Sequence, residues 1–240
     1  MNRMTTLISF LILLPGLFVM AGTKILPETQ PAEKVVLDWQ FGKTAGSVVP
    51  DASGKGRNGV IATVPLPVAV QGETGRGVEW ITPLQSGGVN VVLAGDRFLP
   101  DAGSLTVECR LLLREPPAED IDIVTGPGFM FRLRKDGSLA GYVKLIHPKG
   151  HWSDWTGVGR SIGPAVTVPL NGWCRIAYTY SAENRTVTLF FNGKAVDACV
   201  LDGFSDYHIQ PSGKTVSFGG RGFAGAVEEV RITNAVRTSF

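Results

Sequence analysis

Apolar residues in this chain recur at every second position, and that period constrains the fold more than any other feature. Leu37, Trp39 and Phe41 alternate with Asp38 and Gln40. Leu105, Val107, Cys109 and Leu111 alternate with Thr106, Glu108 and Arg110, and Ile176, Tyr178 and Tyr180 with Arg175, Ala177 and Thr179. Successive side chains of an extended strand point to opposite faces, so this period puts one set in a core and the other outside. Thr186 to Phe191 is another β-rich run, and Asn192-Gly193 after it is the signature of a tight hairpin turn. Lys135-Asp136-Gly137 makes a similar turn between Phe129–Arg134 and Leu139–Leu145, while Val216–Phe218 and Ala226–Ile232 close the set. No amphipathic helical stretch exceeds a turn or two. The 30 glycines and 15 prolines are the punctuation of many short strands. The pattern predicts an all-β sandwich or barrel over residues 35–237, in one domain without internal repeat.

The first residues read differently. Met1 to Thr6 carry one positive charge, Arg3, and an apolar stretch runs from Leu7 to Met20. Val19-Met20-Ala21 places small residues where a signal peptidase would cut. Residues 1–21 are therefore expected to be a signal peptide, with a retained N-terminal anchor as the alternative, and residues 22–34 a short linker. The expected destination is secreted, periplasmic or cell-surface, and no membrane span is expected in the mature chain. Net charge is +2, with both signs interspersed and no basic stripe, which argues against nucleic acid as a partner. Three cysteines, Cys109, Cys174 and Cys199, have no metal-site spacing. Cys109 and Cys174 share the parity of the apolar residues, so they read either as buried hydrophobes or as a bridge.

Asp51-Ala-Ser-Gly-Lys-Gly-Arg-Asn-Gly59 reads as D-x-S-G-x-G-x-x-G, a glycine-rich polar turn between a W-x-F strand and Val60-Ile61. Further pieces follow in order: Gly77-Val-Glu-Trp80, Ser104-Leu-Thr-Val-Glu108, Trp173-Cys-Arg-Ile-Ala177 with Tyr180, and Phe191-Asn-Gly193. Gly219-Gly-Arg221 then precedes Phe223-Ala-Gly225 and Glu228-Glu-Val-Arg-Ile232. Taken together, residues 35–237 resemble the laminin-G-like domains of the concanavalin A-like lectin/glucanase superfamily. The resemblance implies a two-sheet antiparallel jelly-roll sandwich. Two departures stand out: Glu228 replaces the aspartate usual in the last segment, and the helical turn after it is shortened to Asn234–Phe240.

The resemblance also directs attention to three kinds of function. Such sandwiches often hold Ca²⁺ at an edge, and the loop offers Asp51 and Asn58, with Glu228 approaching if the terminal strands pair. Alternatively, Asp51 and Ser53 only cap the turn through backbone hydrogen bonds. For carbohydrate, the segment His147–Arg160 is unusual: His151, Trp152, Asp154 and Trp155 stand among glycines and Pro148. Flat aromatic faces beside polar groups suit a sugar, although a loop folded over the sheet would instead bury the tryptophans as its own small core. Enzymes of the superfamily carry E-x-D-x-E on one strand; no such string exists here. Glu228 and Glu229 are adjacent and so are expected on opposite sides of their strand. Asp120 and Asp122 have i, i+2 spacing, but the Pro116-Pro117 stretch before them suggests a loop entering Ile121–Val124, and His147 with Tyr142 lacks the surroundings of a polysaccharide lyase. The expectation is an exported non-catalytic binder of a glycan, with a cell-surface protein as the alternative partner.

Overall fold

The computed structural model describes residues 35–93, 98–99, 103–159, 166–209 and 213–240. The expected signal segment and linker, residues 1–34, lie outside the described residues. In chain order the strands begin with β1 (Val35–Gln40), β2 (Val48–Val49), β3 (Gly59–Ile61), β4 (Val68–Gln71), β5 (Arg76–Trp80) and β6 (Val89–Val92). Next come β7 (Leu105–Leu113), β8 (Ile121–Gly126), β9 (Phe129–Leu133), β10 (Leu139–Val143), β11 (Leu145–Ile146) and β12 (Thr156–Val158). The last six are β13 (Trp173–Ser181), β14 (Thr186–Phe191), β15 (Lys194–Val200), β16 (His208–Ile209), β17 (Thr215–Phe218) and β18 (Gly225–Thr233).

The strands form two antiparallel sheets and a small third one, as the alternating pattern requires. The first runs β15-β14-β13-β7-β18-β5-β4, with β1 pairing the later half of β18; the second runs β12-β10-β9-β8-β17-β6-β3-β2. Strands β11 and β16 form a two-stranded ribbon. The inward set of each sheet makes a shared core. Trp39, Phe41, Trp80, Phe218 and Phe223 make a continuous chain of ring contacts, with centroids 5.4 to 6.5 Å apart. Phe131 of β9 meets Tyr178 of β13 edge-on at 5.2 Å, tying one sheet to the other. Each such side chain, fully buried, contributes about 1.5–3 kcal/mol by transfer from water. Cys109 and Cys174 are buried free thiols in the same core. Burial pushes the Cys109 thiol well up and Cys174 to about 12, so both behave as small hydrophobes.

One sequence expectation fails at β18. Its register against β7 breaks between Val227 and Glu229, a bulge that leaves Val227 and Val230 both fully buried. Two residues between inward positions must then share the outer face. Glu228 accordingly lies 3.6 Å from Arg110, and Glu229 lies 2.8 Å from Arg231. The adjacent glutamates are on the same side, not opposite sides.

The outer face of the first sheet is covered. Glu108, 2% exposed at its side chain, pairs with Arg175 at 2.8 Å, with Arg231 at 3.7 Å and with Arg237. The C-terminal tail lies over this network. Thr106 Oγ donates to the Ala235 carbonyl at 2.6 Å, Arg237 N donates to Thr106 Oγ at 3.0 Å, and Phe240 rests 4.7 Å from Phe190. Across the second sheet, paired positions on the side away from the core run in one row: Gly157, Tyr142, Met130, Thr125, Ser217, Asn90, Val60 and Val48.

Candidate functional site

The row's aromatic end carries a cleft of about 430 Å³, lined by Asp122, Thr125, Gly126, Phe129, Met130, Arg132, Tyr142 and Trp155. Its floor follows from strand register. Met130 is flanked by Thr125 on β8 and Tyr142 on β10, while Arg132 is flanked by Asp122 and Ala140. Met130, Ala140 and Tyr142 form an apolar cluster separate from the main core. Arg132 Nε donates to Asp122 Oδ1 at 2.6 Å, and Asp120 lies 3.7 Å from the same guanidinium. Arg134 donates to the Tyr142 hydroxyl at 3.0 Å, fixing the ring's edge. The cleft thus combines an apolar floor, a charge-paired wall and one hydroxyl-bearing ring.

Trp155 comes to the cleft on the loop before β12. That loop is pinned by Ser153, whose Oγ accepts the Leu145 N–H and whose own N–H donates to the Leu145 carbonyl, both at 2.8 Å. Buried Ser153 sits between the two tryptophans and leaves them outside: Trp152 is 52% and Trp155 39% exposed. The two rings therefore do not form a small core of their own. Of the four residues singled out from the sequence, Trp155 lines the cleft. Trp152 stands beside it in the loop, bridged to Ile146, with the Lys144 ammonium 5.6 Å from its ring centre. His151 packs against His147 at 6.1 Å between ring centres, and Asp154 is exposed. Tyr207 packs 5.1 Å from His147 and 5.0 Å from Phe204, a packing role.

Asp51 and Asn58 are together in the glycine-rich loop. Asp51 Oδ1 accepts the backbone N–H of Asp38 at 2.9 Å and of Ser53 at 3.0 Å. Oδ2 accepts the Ser53 hydroxyl at 2.8 Å and the Arg57 N–H at 2.9 Å. Asn58 Oδ1 accepts the Asp51 N–H at 2.9 Å, and Gly54 and Gly56 take positive φ (77° and 69°) that lets the turn close. The terminal strands β1 and β18 do pair, but the Glu228 carboxylate turns to a different hairpin. It accepts the N–H groups of Glu73 and Thr74, each at 3.1 Å, and the Thr74 hydroxyl at 2.6 Å. The three named calcium candidates are thus divided between two turns. Among the described residues no three His, Cys, Asp or Glu side chains are grouped as a metal site.

The floor residue Met130 and the wall residues Arg132 and Asp122 are not singled out for binding by the sequence. Their signal is the outward parity of Met130 and Arg132 between Phe129, Phe131 and Leu133, and of Asp122 between Ile121 and Ile123.

Residues 86–239 match a family described as the concanavalin A-like lectin/glucanases superfamily. No curated protein matches the chain significantly. Several solved structures share the fold. A Trypanosoma rangeli sialidase in complex with sialic acid aligns with TM-score 0.56 at 14% identity, over 85% of this chain and 31% of the sialidase. The ligand-binding domain of botulinum neurotoxin serotype D, in complex with N-acetylneuraminic acid, aligns with TM-score 0.56 at 14% identity, over 85% of this chain and 48% of that one. Domain 4 of AbnA, an extracellular GH43 arabinanase from Geobacillus stearothermophilus, in complex with arabinotriose, aligns with TM-score 0.56 at 17% identity, over 84% and 92%. The chain spans about a third of the sialidase, 31%. At these identities the likeness is one of fold.

Proposed function

This chain belongs to the concanavalin A-like lectin/glucanases superfamily, and from that premise we propose that it is an exported, non-catalytic glycan-binding protein whose ligand lies against Trp155. One observation carries this reading: an exposed indole stands at a cleft with an apolar floor and a polar wall. Sugars present C–H faces to aromatic rings and hydroxyls to a few fixed polar groups, which is the combination found here. The sugar complexes among the structural neighbours support the same reading.

The non-catalytic part rests on the carboxylates. Glycoside hydrolysis needs two carboxyl groups in different protonation roles across the scissile bond. Asp122 of the cleft and nearby Asp120 both face the same guanidinium, Arg132, and so are not set on opposite sides of a scissile bond. Export rests on residues 1–21, and N-terminal sequencing of the mature form checks it.

The test is affinity electrophoresis or calorimetry of the parent and Trp155→Ala on a polysaccharide panel. Loss of a stacked indole should weaken binding about thirtyfold, in the range of an interface hot spot, with the melting temperature little changed. Trp152→Ala, beside the cleft, should cost less. Unchanged affinity in Trp155→Ala would remove the site. A cell-surface protein is the second reading, favoured by exposed Val48, Val60 and Val92 on the same outer face. A blank glycan panel together with protease-sensitive binding to cells would select it.

A further inference from the structure

Among the described residues that line it, the cleft contains one cation, Arg132, and that cation is already committed. Arg132 Nε donates to Asp122 Oδ1 at 2.6 Å, one terminal nitrogen lies 3.7 Å from Asp120 Oδ2, and the other donates to the Met130 sulfur at 3.5 Å. The hydrogen bond to Asp122, against the opposing effect of burial, keeps the guanidinium protonated beyond its ordinary range. Two carboxylates therefore face one arginine, and the side chain of Asp122 is 38% exposed on the wall a ligand would touch. Nearby cations are engaged elsewhere: Arg134 on the Tyr142 hydroxyl and Lys144 over the Trp152 ring.

We propose that Asp122 makes this cleft selective for uncharged sugars and excludes acidic ones such as sialic acids and uronates. The inference rests on the glycan-binding reading of the same cleft. A sugar carboxylate would need a free guanidinium fork to repay its desolvation. Here the Nε edge of Arg132 is occupied by Asp122, so an incoming carboxylate must displace that aspartate or lie beside it. Like charges brought side by side in a partly desolvated site are a device for rejecting the wrong ligand. Neutral hydroxyls meet no such barrier, because the Asp122 side-chain oxygens accept hydrogen bonds from them. Asp122 is thus a specificity-determining residue, with Arg132 as the group that positions it.

The experiment uses the mature protein and a neutral polysaccharide that retards it in affinity electrophoresis, carried as two derivatives of equal substitution, carboxymethyl and hydroxyethyl. The two differ in charge but little in bulk. The parent should bind the carboxymethyl form about tenfold more weakly than the hydroxyethyl form, the scale of one like-charge contact at intermediate dielectric. In Asp122→Asn, which removes the negative charge while its amide oxygen can still accept from Arg132 Nε, the ratio of acidic to neutral affinity should rise about tenfold. Circular dichroism verifies that the variant is folded; if it is not, the parent's comparison alone decides. Equal or tighter binding of the carboxymethyl form by the parent overturns the inference and leaves glycan binding standing. A ratio unmoved by Asp122→Asn in a folded variant also overturns it. If neither form of any glycan on the panel is bound, the glycan reading falls and this inference falls with it.

Discussion

Replacing Glu228 by Gln should destabilise the protein by about 2–3 kcal/mol, in a way that disappears in acid. The Glu228 side chain is 7% exposed and sits beneath the turn between β4 and β5. It accepts the N–H groups of Glu73 and Thr74 and the Thr74 hydroxyl, with Arg110 at 3.6 Å. An amide keeps one acceptor but aims an NH₂ at an N–H donor of the turn. That forfeits one charge-assisted bond, worth about 1.5–3 kcal/mol. Arg110 also loses a buried partner, but it keeps Glu73 at 3.4 Å and the Thr74 hydroxyl, so the full penalty of an orphaned charge does not apply. At about 2–4 °C per kcal/mol for a domain of this size, the melting temperature should fall by about 4–12 °C at pH 7. The acid limb follows from linkage. Burial works to raise the Glu228 pKa, but the bonds from Thr74, the charge of Arg110 and the Glu73 N–H outweigh it and leave it lowered. A lowered folded-state pKa means stability that is fully present above the unfolded value, about 4.3. It is lost as pH falls through the lower, folded value. Thermal melts of parent and variant from pH 7 to pH 3 should therefore converge below about pH 4. A gap under about 0.5 kcal/mol at pH 7, or one that persists unchanged at pH 3, would refute this account of the site.

Other predictions concern the loop and the strand below the cleft. All four acceptances of the Asp51 carboxylate are met by protein donors. Asp51→Ala should cost about 2–4 kcal/mol in denaturant unfolding, and Asp51→Asn about half as much. Because those lone pairs are taken, millimolar Ca²⁺ should leave the parent's melting temperature within about 1 °C of its value in EDTA. A rise of several degrees that Asp51→Asn removes would instead place a cation in the loop. A Cβ at Gly141 would lie 2.6 Å from Tyr178 Cγ. Gly141→Ala should therefore cost about 1–3 kcal/mol and, by displacing neighbouring Tyr142, weaken glycan retention as well; retention at the parent's level would detach Tyr142 from the site.

The sandwich could be read from the sequence because its signal is local and repeated. Leu37, Trp39 and Phe41 declare a buried face without reference to any partner, and Asn192-Gly193 declares its own turn. What could not be read was decided by pairing across the chain. The β10 segment Leu139–Val143 is buried throughout, so Tyr142 offered no alternation to reveal that it faces outward. Met130 and Arg132 acquire meaning only when register sets them beside Thr125, Asp122 and Tyr142. An unbroken strand would put Glu228 and Glu229 on opposite sides, but the register breaks between Val227 and Glu229. The warning was present in Val227-Glu-Glu-Val230-Arg-Ile232, where two apolar residues three apart break the period of two. The tryptophans were found because they stand among glycines, but only Ser153, buried between them, decides that they are exposed.

The paired row on the outer side of the second sheet works as a ruler. From Tyr142 to Val48 it crosses seven neighbouring strands of the second sheet, and six spacings of about 4.8 Å give about 29 Å of graded surface. Its texture changes along that length, from the ring and thioether of Tyr142 and Met130, through the hydroxyl and amide groups of Thr125, Ser217 and Asn90, to the bare aliphatic pair Val60 and Val48. A linear polymer laid across the strands would meet a different chemical partner at each step. It would therefore have a direction on this surface, with one end defined by an indole and the other by valines. Polarity of binding, a property usually sought in loops, would here be written into the order in which the strands are stacked.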